Sequence, residues 1–498
     1  LPDNNRVVFN YAKGGHLATV ELNGSTLTSH LFKAGQEHQR QQGQLLSHYH
    51  YDDQQRLHAH AVTQQNHYLY QRQYDYDKSS NLTRLLDTRK GEHRYHYDPL
   101  NRLTRADHSQ DLQERFGHDP ASNLLMQDRP GPDIVAGNRL LMQGDNHYDY
   151  DAFGNLIRER RGKGHQLVTE YRYDCQHRLV EVKKTNGQTA SYRYDPFGRR
   201  ISKTVDNITT EFFWQGDKLI AEHHKDKHRS FIYEPDSFRP LALLEGFGPK
   251  ATKPYHYQLD HLGTPQELTT PEGEIVWSAH YRAYGEISRL DIGKVDNPIR
   301  FQGQYFDQES GLHYNRHRYY NPDIGRYLTP DPVKLAGGIN TYLYTLNPMG
   351  WVDPSGLSSC PGGDGCKPQT SGESPTSIAK VDEGTPSAPL LHGVDAGTLN
   401  RTHSIEGKLS TKLVENISEN LRKNGYNRSK PIEVVEHNER RYILDGHHRA
   451  SAARRTHTPV TIKLIRDLEG HKGSFNSIQD VIDASENVGL DRLNRPKR

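Results

Sequence analysis

Two groups of residues in this chain have the types and spacing to do chemistry. Asp331 and Asp353 each open an Asp-Pro pair, 22 residues apart. Two carboxyls held close share one proton, so one can activate water while the other donates to a carbonyl oxygen, which is the chemistry of aspartyl proteolysis. Spacing alone does not bring them together, and Asp-Pro-Ser-Gly is also an ordinary turn. The second group is Asp445-Gly446-His447-His448-Arg449. Gly446 permits a tight turn, the amides after it form the positive end of a helix, and Arg449 offers a fork for two phosphate oxygens. His447 or His448 could take a proton from water or protonate a departing oxygen. Asp445 could hold an imidazole tautomer or help bind a metal. Against this stands a bland alternative: among thirty histidines adjacent pairs arise easily, and one of these two faces the core or caps the helix.

The elements that must position these groups are of two kinds. Through the first 300 residues an aromatic-x-aromatic-Asp unit recurs, as in "YDYDKSSNLTRL", "YHYDPLNRLTRA" and "YRYDPFGRRISK", with aspartates at 77, 98, 119, 151, 174 and 195. Tyr-x-Tyr puts two rings on one face of a strand, the Asp-led tetrapeptide turns, and Asn-Leu or Arg-Leu opens the returning strand. A lone hairpin cannot hide its face, so hairpins of about 20 residues must stack into a long coiled sheet. The tyrosines and aspartates of these units are ladder and turn, not catalysts. Composition agrees: hydrophobic residues are only 33% of the chain, yet it has 29 tyrosines, whose rings pack while their hydroxyls stay hydrogen-bonded.

After Leu357 the text changes. "SSCPGGDGCKPQTSGESPTSIAKVDEGTPSAP" reads as linker. Beyond it, Leu409, Leu413, Ile417 and Leu421 recur at helical spacing up to Gly425, Ile432–Val435 and Tyr442–Leu444 form a hairpin, "HRASAARR" a helix, "PVTIKLI" a strand and "SIQDVIDAS" a last helix. Residues 401–498 carry 19 Lys/Arg against 13 Asp/Glu, which favours a nucleic-acid or phosphate partner, or an acidic inhibitor protein. The whole chain, at +2, is no polycation. No run of 18 apolar residues offers a membrane span, Leu1-Pro2 opens no signal peptide, and the missing initiator Met suggests part of something longer. Three cysteines make no disulfide framework, though Cys360 and Cys366 could pair across their Gly-rich loop.

The Tyr-Asp units, with "YQLDHLGTPQELTTPEGEIVWSAHYRAYGE" (257–286) and "IRFQGQYFDQESGLHYNRHRYYNPDIGRYLTPDP" (299–332), closely resemble the RHS/YD family of polymorphic toxins. The resemblance covers about 350 residues and implies a mainly β protein. Its YD-repeat coiled sheet would form part of a hollow cage around a toxic C-terminal domain. It also implies autoproteolysis by the two aspartates just after the second Asp-Pro-x-Gly-Leu, here Asp353-Pro-Ser-Gly-Leu357. The cut would fall at Leu357–Ser358, with no cofactor required and Arg326 as the basic residue beside the dyad. The first copy departs from the family pattern: Lys334 stands at its glycine position in Asp331-Pro-Val-Lys-Leu335, so the turn there is expected to differ.

The C-terminal order, with Pro431-Ile432-Glu433-Val434 followed by Gly446-His447-His448-Arg449, resembles over about 70 residues the ParB/sulfiredoxin superfamily, small α+β domains with a phosphate-handling loop. On that resemblance His447 and Arg449 take the functional positions, His448 is next, and Ser404 belongs to the upstream phosphate-facing segment. The expected layout is a repeat shell at 1–298, an RHS-associated core with the autoproteolytic junction at 299–357, a linker at 358–392 and a ParB-like toxin domain at 393–498. The function implied is a secreted or delivered antibacterial toxin whose self-cleaved effector, a DNase or other nuclease, acts in the target-cell cytoplasm. The alternatives are a nucleotide hydrolase or phosphotransferase toxin, or a shell with a non-enzymatic binding module. Expected partners are the upstream cage portion, an immunity protein, a secretion spike or other delivery machinery, and a nucleic acid or nucleotide. A divalent metal such as Mg2+ stays open for the toxin domain, with no ligands assigned.

Overall fold

The computed structural model describes residues 1–109, 112–127, 133–247, 252–334, 338–361, 390–402, 408–424, 426, 431–437, 440–465 and 478–486. The chain divides into two compact units, Leu1–Thr376 and Ser377–Arg498.

In the first unit the repeats build two antiparallel meanders. A 12-stranded sheet runs in sequence order from Val7–Tyr11 to Leu124–Met126, and a 16-stranded sheet from Asp133–Ala136 to Ile287–Gly293. Each aspartate of the repeat closes its turn in the same way. The Oδ1 atom of Asp77 accepts from the amides of Ser79 and Asn81, that of Asp98 from Leu100 and Arg102, and that of Asp174 from Gln176 and Arg178. Asp52 and Asp260 make the same turn, so the series is longer than the six aspartates read from the sequence. The second tyrosine of each unit ties it to the preceding one. The hydroxyls of Tyr76, Tyr97, Tyr173 and Tyr194 donate to the carbonyls of Leu57, Leu82, Leu156 and Leu179. In the degenerate unit Phe116-Gly-His-Asp, His118 Nε2 takes that place against Leu103 O at 2.9 Å.

The register slips by one residue at these second tyrosines, between Asp75 and Tyr76, Arg172 and Tyr173, and Arg193 and Tyr194. A bulge repeated once per hairpin bends and twists a sheet in one sense, which is why so many strands coil rather than lie flat. The two sheets are bolted together by buried charge: Arg72 in the first pairs with Asp87 at 2.7 Å and with Glu267 of the second at 2.5 Å, and Lys90 reaches Glu267 at 3.1 Å.

Residues between Ile299 and Leu328 pack against an apolar face of the larger sheet, while Met349 packs with Tyr74, Tyr95 and Phe116 of the smaller one. Ile299, Tyr305, Leu312, Tyr314, Tyr319, Ile324 and Leu328 share one core with Tyr171, Tyr192, Phe212 and Trp277. This segment forms a four-stranded sheet of Tyr305–Asp307, Leu312–Asn315, Arg318–Asn321 and Arg326–Tyr327. Arg200 pins it to the shell through Asp307, with its guanidinium among the rings of Phe212, Tyr305 and Tyr314.

The second unit is a five-stranded mixed sheet in the order Leu390–Val394, Val460–Leu464, Ile432–His437, Arg440–Asp445, Leu399–Asn400. Helices α1 (Lys408–Asn424) and α2 (His447–Thr456) share one core with the sheet, while α3 (Ile478–Glu486) packs Val481 into a separate cluster with Val435, Tyr442 and Leu444. The expected hairpin, the strand at 460 and all three helices are present. Two expectations are corrected. The first strand starts at Leu390, inside the stretch read as linker, because it pairs with Val460–Leu464. The face of α1 that turns inward is Val414, Ile417 and Leu421, while Leu413 is 46% exposed. A spacing of four drifts around a 3.6-residue helix, so Leu413 falls off the buried stripe. The residues between 362 and 389 lie outside the described residues.

Candidate functional site

The backbone brings Asp331 and Asp353 to one guanidinium, and it is that of Arg318. Arg318 Nη2 lies 2.8 Å from Asp331 Oδ2 and 3.6 Å from Asp353 Oδ2, and all three side chains are buried. The hairpin of Leu312–Asn315 and Arg318–Asn321 carries Arg318 into this position. Its Nη1 donates to Thr341 O at 2.9 Å, its Nε to Gly356 O, and its guanidinium stacks on the Tyr327 ring at 3.7 Å.

Asp353 is held by donors on both oxygens. Oδ1 accepts from the amides of Gly356 at 2.9 Å, Leu357 at 3.1 Å and Ser358 at 3.2 Å, and Oδ2 accepts from the Tyr327 hydroxyl at 2.9 Å. The aspartate therefore touches the nitrogen of the Leu357–Ser358 bond. Pairing of Val352 with Cys360 and Trp351 with Pro361 closes the loop that carries this bond. Gly356 is required here: its φ is +77°, and a Cβ would lie 2.6 Å from Asn315 O. Leu357 is buried and Ser358 exposed.

The dyad differs electrostatically from the turn aspartates of the repeats. Hydrogen bonds and an adjacent arginine hold Asp98, Asp174 and Asp195 below the usual carboxylate value, because they outweigh modest burial. For Asp331 and Asp353 burial dominates and pushes both carboxyls above it, against the opposing charge of Arg318. The proximity of Asp353 raises Asp331 further. Two neighbouring carboxyls displaced upward around one guanidinium are suited to carry one proton on one of the pair.

One sequence expectation changes at this site. Arg326 does not join the dyad. It donates to Asn138 O and lies against the Tyr342 ring. The cause is strand alternation, since Tyr327 faces Asp353 and its neighbour must face the other way. Nothing local in the sequence marks Arg318 in its place, nor Tyr327. The turn after Asp331, which has Lys334 where the Asp353 turn has Gly356, is held by different hydrogen bonds, as expected. Lys334 adopts φ +55°, the left-handed conformation a glycine would take, its amide donates to Asp331 O, and the Val333 amide donates to Asp331 Oδ1. Leu335 lies outside the described residues.

In the second unit, Gly446 has φ +94° and starts α2 directly after the Arg440–Asp445 strand. A Cβ on it would lie 2.8 Å from Arg449 Nη2, so this glycine lets the arginine fold back over the turn. Arg449 donates to Pro431 O at 3.0 Å and pairs with the exposed Asp445 at 3.2 Å. Of the two histidines expected to act as base or acid, His447 is the one that faces the core: it is buried, with Nε2 3.0 Å from Thr402 Oγ1. Helical direction turns it toward the core and leaves His448 half-exposed beside Arg449. Thr402, which sequence reasoning did not single out, ties the end of the Leu399–Asn400 strand to α2. Ser404 lies outside the described residues. Among the described residues no group of three or more His, Cys, Asp or Glu could hold a metal, and no helix is long and apolar enough to cross a membrane. Cys360 is disulfide-bonded, Cys175 is a free thiol, and Cys366 lies outside the described residues.

Comparison with known proteins identifies the family of the shell. The family model described as the teneurin YD-shell matches residues 4–347. The chain is 35% identical over 319 residues to "Double-stranded DNA deaminase toxin A" of Burkholderia cenocepacia, covering 58% of this chain and 22% of that one. It is 39% identical over 237 residues to "Probable deoxyribonuclease RhsA" of Dickeya dadantii, covering 45% and 16%. The chain thus spans less than a quarter of the length of these two relatives. The crystal structure of TcdB2-TccC3 without its hypervariable C-terminal region superposes with a TM-score of 0.53 at 20% identity, over 71% of this chain and 20% of that one. That likeness is one of fold.

Proposed function

Because the chain belongs to the teneurin YD-shell family, we propose that it is part of an RHS toxin. Its shell cuts its own chain at Leu357–Ser358 and delivers the following domain as a nucleic-acid-directed effector. The observation that carries this reading is the single Arg318 guanidinium facing both Asp331 and Asp353, with the Ser358 nitrogen 3.2 Å from Asp353.

The chemistry follows from a dyad that holds one proton. Asp331, as carboxylate, takes a proton from water while the water oxygen bonds to the Leu357 carbonyl carbon. Asp353, the carboxyl beside the leaving nitrogen, gives its proton to Ser358 as the C–N bond breaks. The products are a carboxyl at Leu357 and an amine at Ser358, the dyad proton has moved from Asp353 to Asp331, and one water is consumed. Arg318 offsets the cost of leaving one carboxyl of the pair ionised in a buried site, and orients both carboxyls.

This predicts a pH dependence with a definite sign. Both carboxyls lie above their ordinary 3.8 in the folded chain, so cleavage should accelerate as pH falls from neutral through the raised values. It should slow again once pH falls below both raised values, where both are protonated. Linkage gives the stability sign: the fold binds these protons more tightly than the unfolded chain, so this contribution is present at low pH and is lost as pH rises through the raised values. Cleavage of freshly refolded chain, followed on denaturing gels from pH 4 to 8, checks it. A rate that climbs steadily toward alkaline pH would contradict the carboxyl assignment.

For the effector, support comes from the net positive charge of residues 401–498 and from the loop that sets His448 and Arg449 at the start of α2. Relatives named as a DNA deaminase toxin and a probable deoxyribonuclease favour nucleic acid as substrate. The domain is read as ParB-like, released into a target cell's cytoplasm by delivery machinery and restrained in its producer by an immunity protein. Arg449→Ala should lower turnover of nucleic acid by at least about a hundredfold if the guanidinium stabilises phosphate charge. The self-cleaved chain, incubated with plasmid, cellular RNA or nucleoside triphosphates with and without Mg2+, tests this. Consumption of triphosphate alone would make it a nucleotide hydrolase, and no turnover at all would leave a binding module.

A further inference from the structure

Hydrolysis at Leu357–Ser358, the reading on which this inference rests, creates two charges beside groups already in place: a carboxylate on Leu357 and an α-ammonium on Ser358. We infer that the Asp353 turn is a preformed binding site for the α-ammonium of its own cleavage product, and that it holds the new N-terminus of the effector segment in the shell.

Before the cut, the Ser358 amide is one of three donors to Asp353 Oδ1. After it, the same nitrogen is cationic and points at the same buried carboxylate. A charge-assisted hydrogen bond of that kind is roughly twice as strong as the neutral one it replaces. The contacts just beyond the cut do not depend on the broken bond. Cys360 stays paired with Val352 and packs against Leu262 and Val352, and Pro361 stays paired with Trp351. Shell residues 351–353 and product residues 358–361 thus form one interface that hydrolysis leaves intact.

The other half of the cut is matched as well. Arg318 Nε donates to Gly356 O, one residue from the new Leu357 carboxylate. The groups facing Asp353 are Arg318, the Tyr327 hydroxyl, the Tyr344 hydroxyl, which accepts from the Asp353 amide at 3.4 Å, and Asp331 across the guanidinium. Arg318 is closer to Asp331, at 2.8 Å, than to Asp353, at 3.6 Å. The ammonium therefore gives Asp353 a counter-charge of its own.

The test uses the full chain after self-cleavage. Competitive acetylation with trace acetic anhydride over a pH series, read by mass spectrometry of the Ser358 peptide, gives both the reactivity and the pKa of that amine. A carboxylate clamp predicts a pKa at least about one unit above the ordinary 7.7–8.0, with acetylation at neutral pH about tenfold slower than in the same protein unfolded in urea. An amine that reacts equally fast in both, or one whose pKa is lowered as burial without a counter-charge would make it, overturns the inference while leaving the cleavage reading standing. A chain with no Ser358 amine, visible as a single uncut band, refutes both.

Discussion

Asp353→Asn is expected to leave the chain uncut, with the cleavage rate down by at least about a hundredfold, the lower end of what a positioned acid or base contributes. The substitution is close to isosteric. The asparagine oxygen can still accept the amides of Gly356, Leu357 and Ser358, so the loop that presents the bond keeps its shape. What is lost is the titrating group beside the Ser358 nitrogen. Asp331→Asn should behave alike for the other half of the proton exchange, and the double variant should be no slower than either alone, because the two act as one unit. Densitometry of denaturing gels over hours checks the rates, and a melting transition within a few degrees of the parent shows the fold intact. Cleavage persisting in either variant would remove the dyad from the mechanism.

The largest expected effect on stability lies away from the cut. Arg72→Met should destabilise the first unit by about 3–5 kcal/mol, because it strands Asp87 and Glu267 in the seam between the two sheets. Asp87 shows how strongly the pair is coupled. Burial pushes its carboxyl up, yet the charge and hydrogen bond of Arg72 outweigh that and hold it at about 2. Glu267 is held below its usual value by Arg72 and Lys90 against full burial. Without Arg72, Lys90 must answer for both carboxylates. Denaturant unfolding followed by tyrosine fluorescence gives the difference, and a loss under about 1 kcal/mol would mean the seam tolerates exchange of its charges for methionine packing.

The extent to which the sequence foretold this protein depends on how local each cause was. The hairpins were legible because Tyr-x-Tyr-Asp carries its own turn chemistry: the aspartate caps its turn within four residues, and the tyrosine reaches only to the neighbouring repeat. Even His118 in a tyrosine's place follows that rule. The dyad aspartates were legible through the Asp-Pro-x-Gly-Leu resemblance, but their electrostatics were not. Whether a carboxyl is pushed up or held down depends on burial and on Arg318, which arrives from a separate hairpin, and no spacing announces it. Arg326 misled because it sits next to the right residue, and a strand sends neighbours to opposite faces. At the second site the glycine turn and the helix after it were readable from Gly446 and the alanines. The fate of His447 was set by Thr402, 45 positions earlier in the chain, and local pattern does not reach that far.

The central claim is that this shell severs its own chain between Leu357 and Ser358. Intact-mass measurement of the purified, denatured protein, with sequencing of every new N-terminus, tests it most directly. The account predicts two chains from one, ending at Leu357 and beginning at Ser358, that separate only when the fold is undone. A single full-length mass, or a new N-terminus at any other residue, would contradict it.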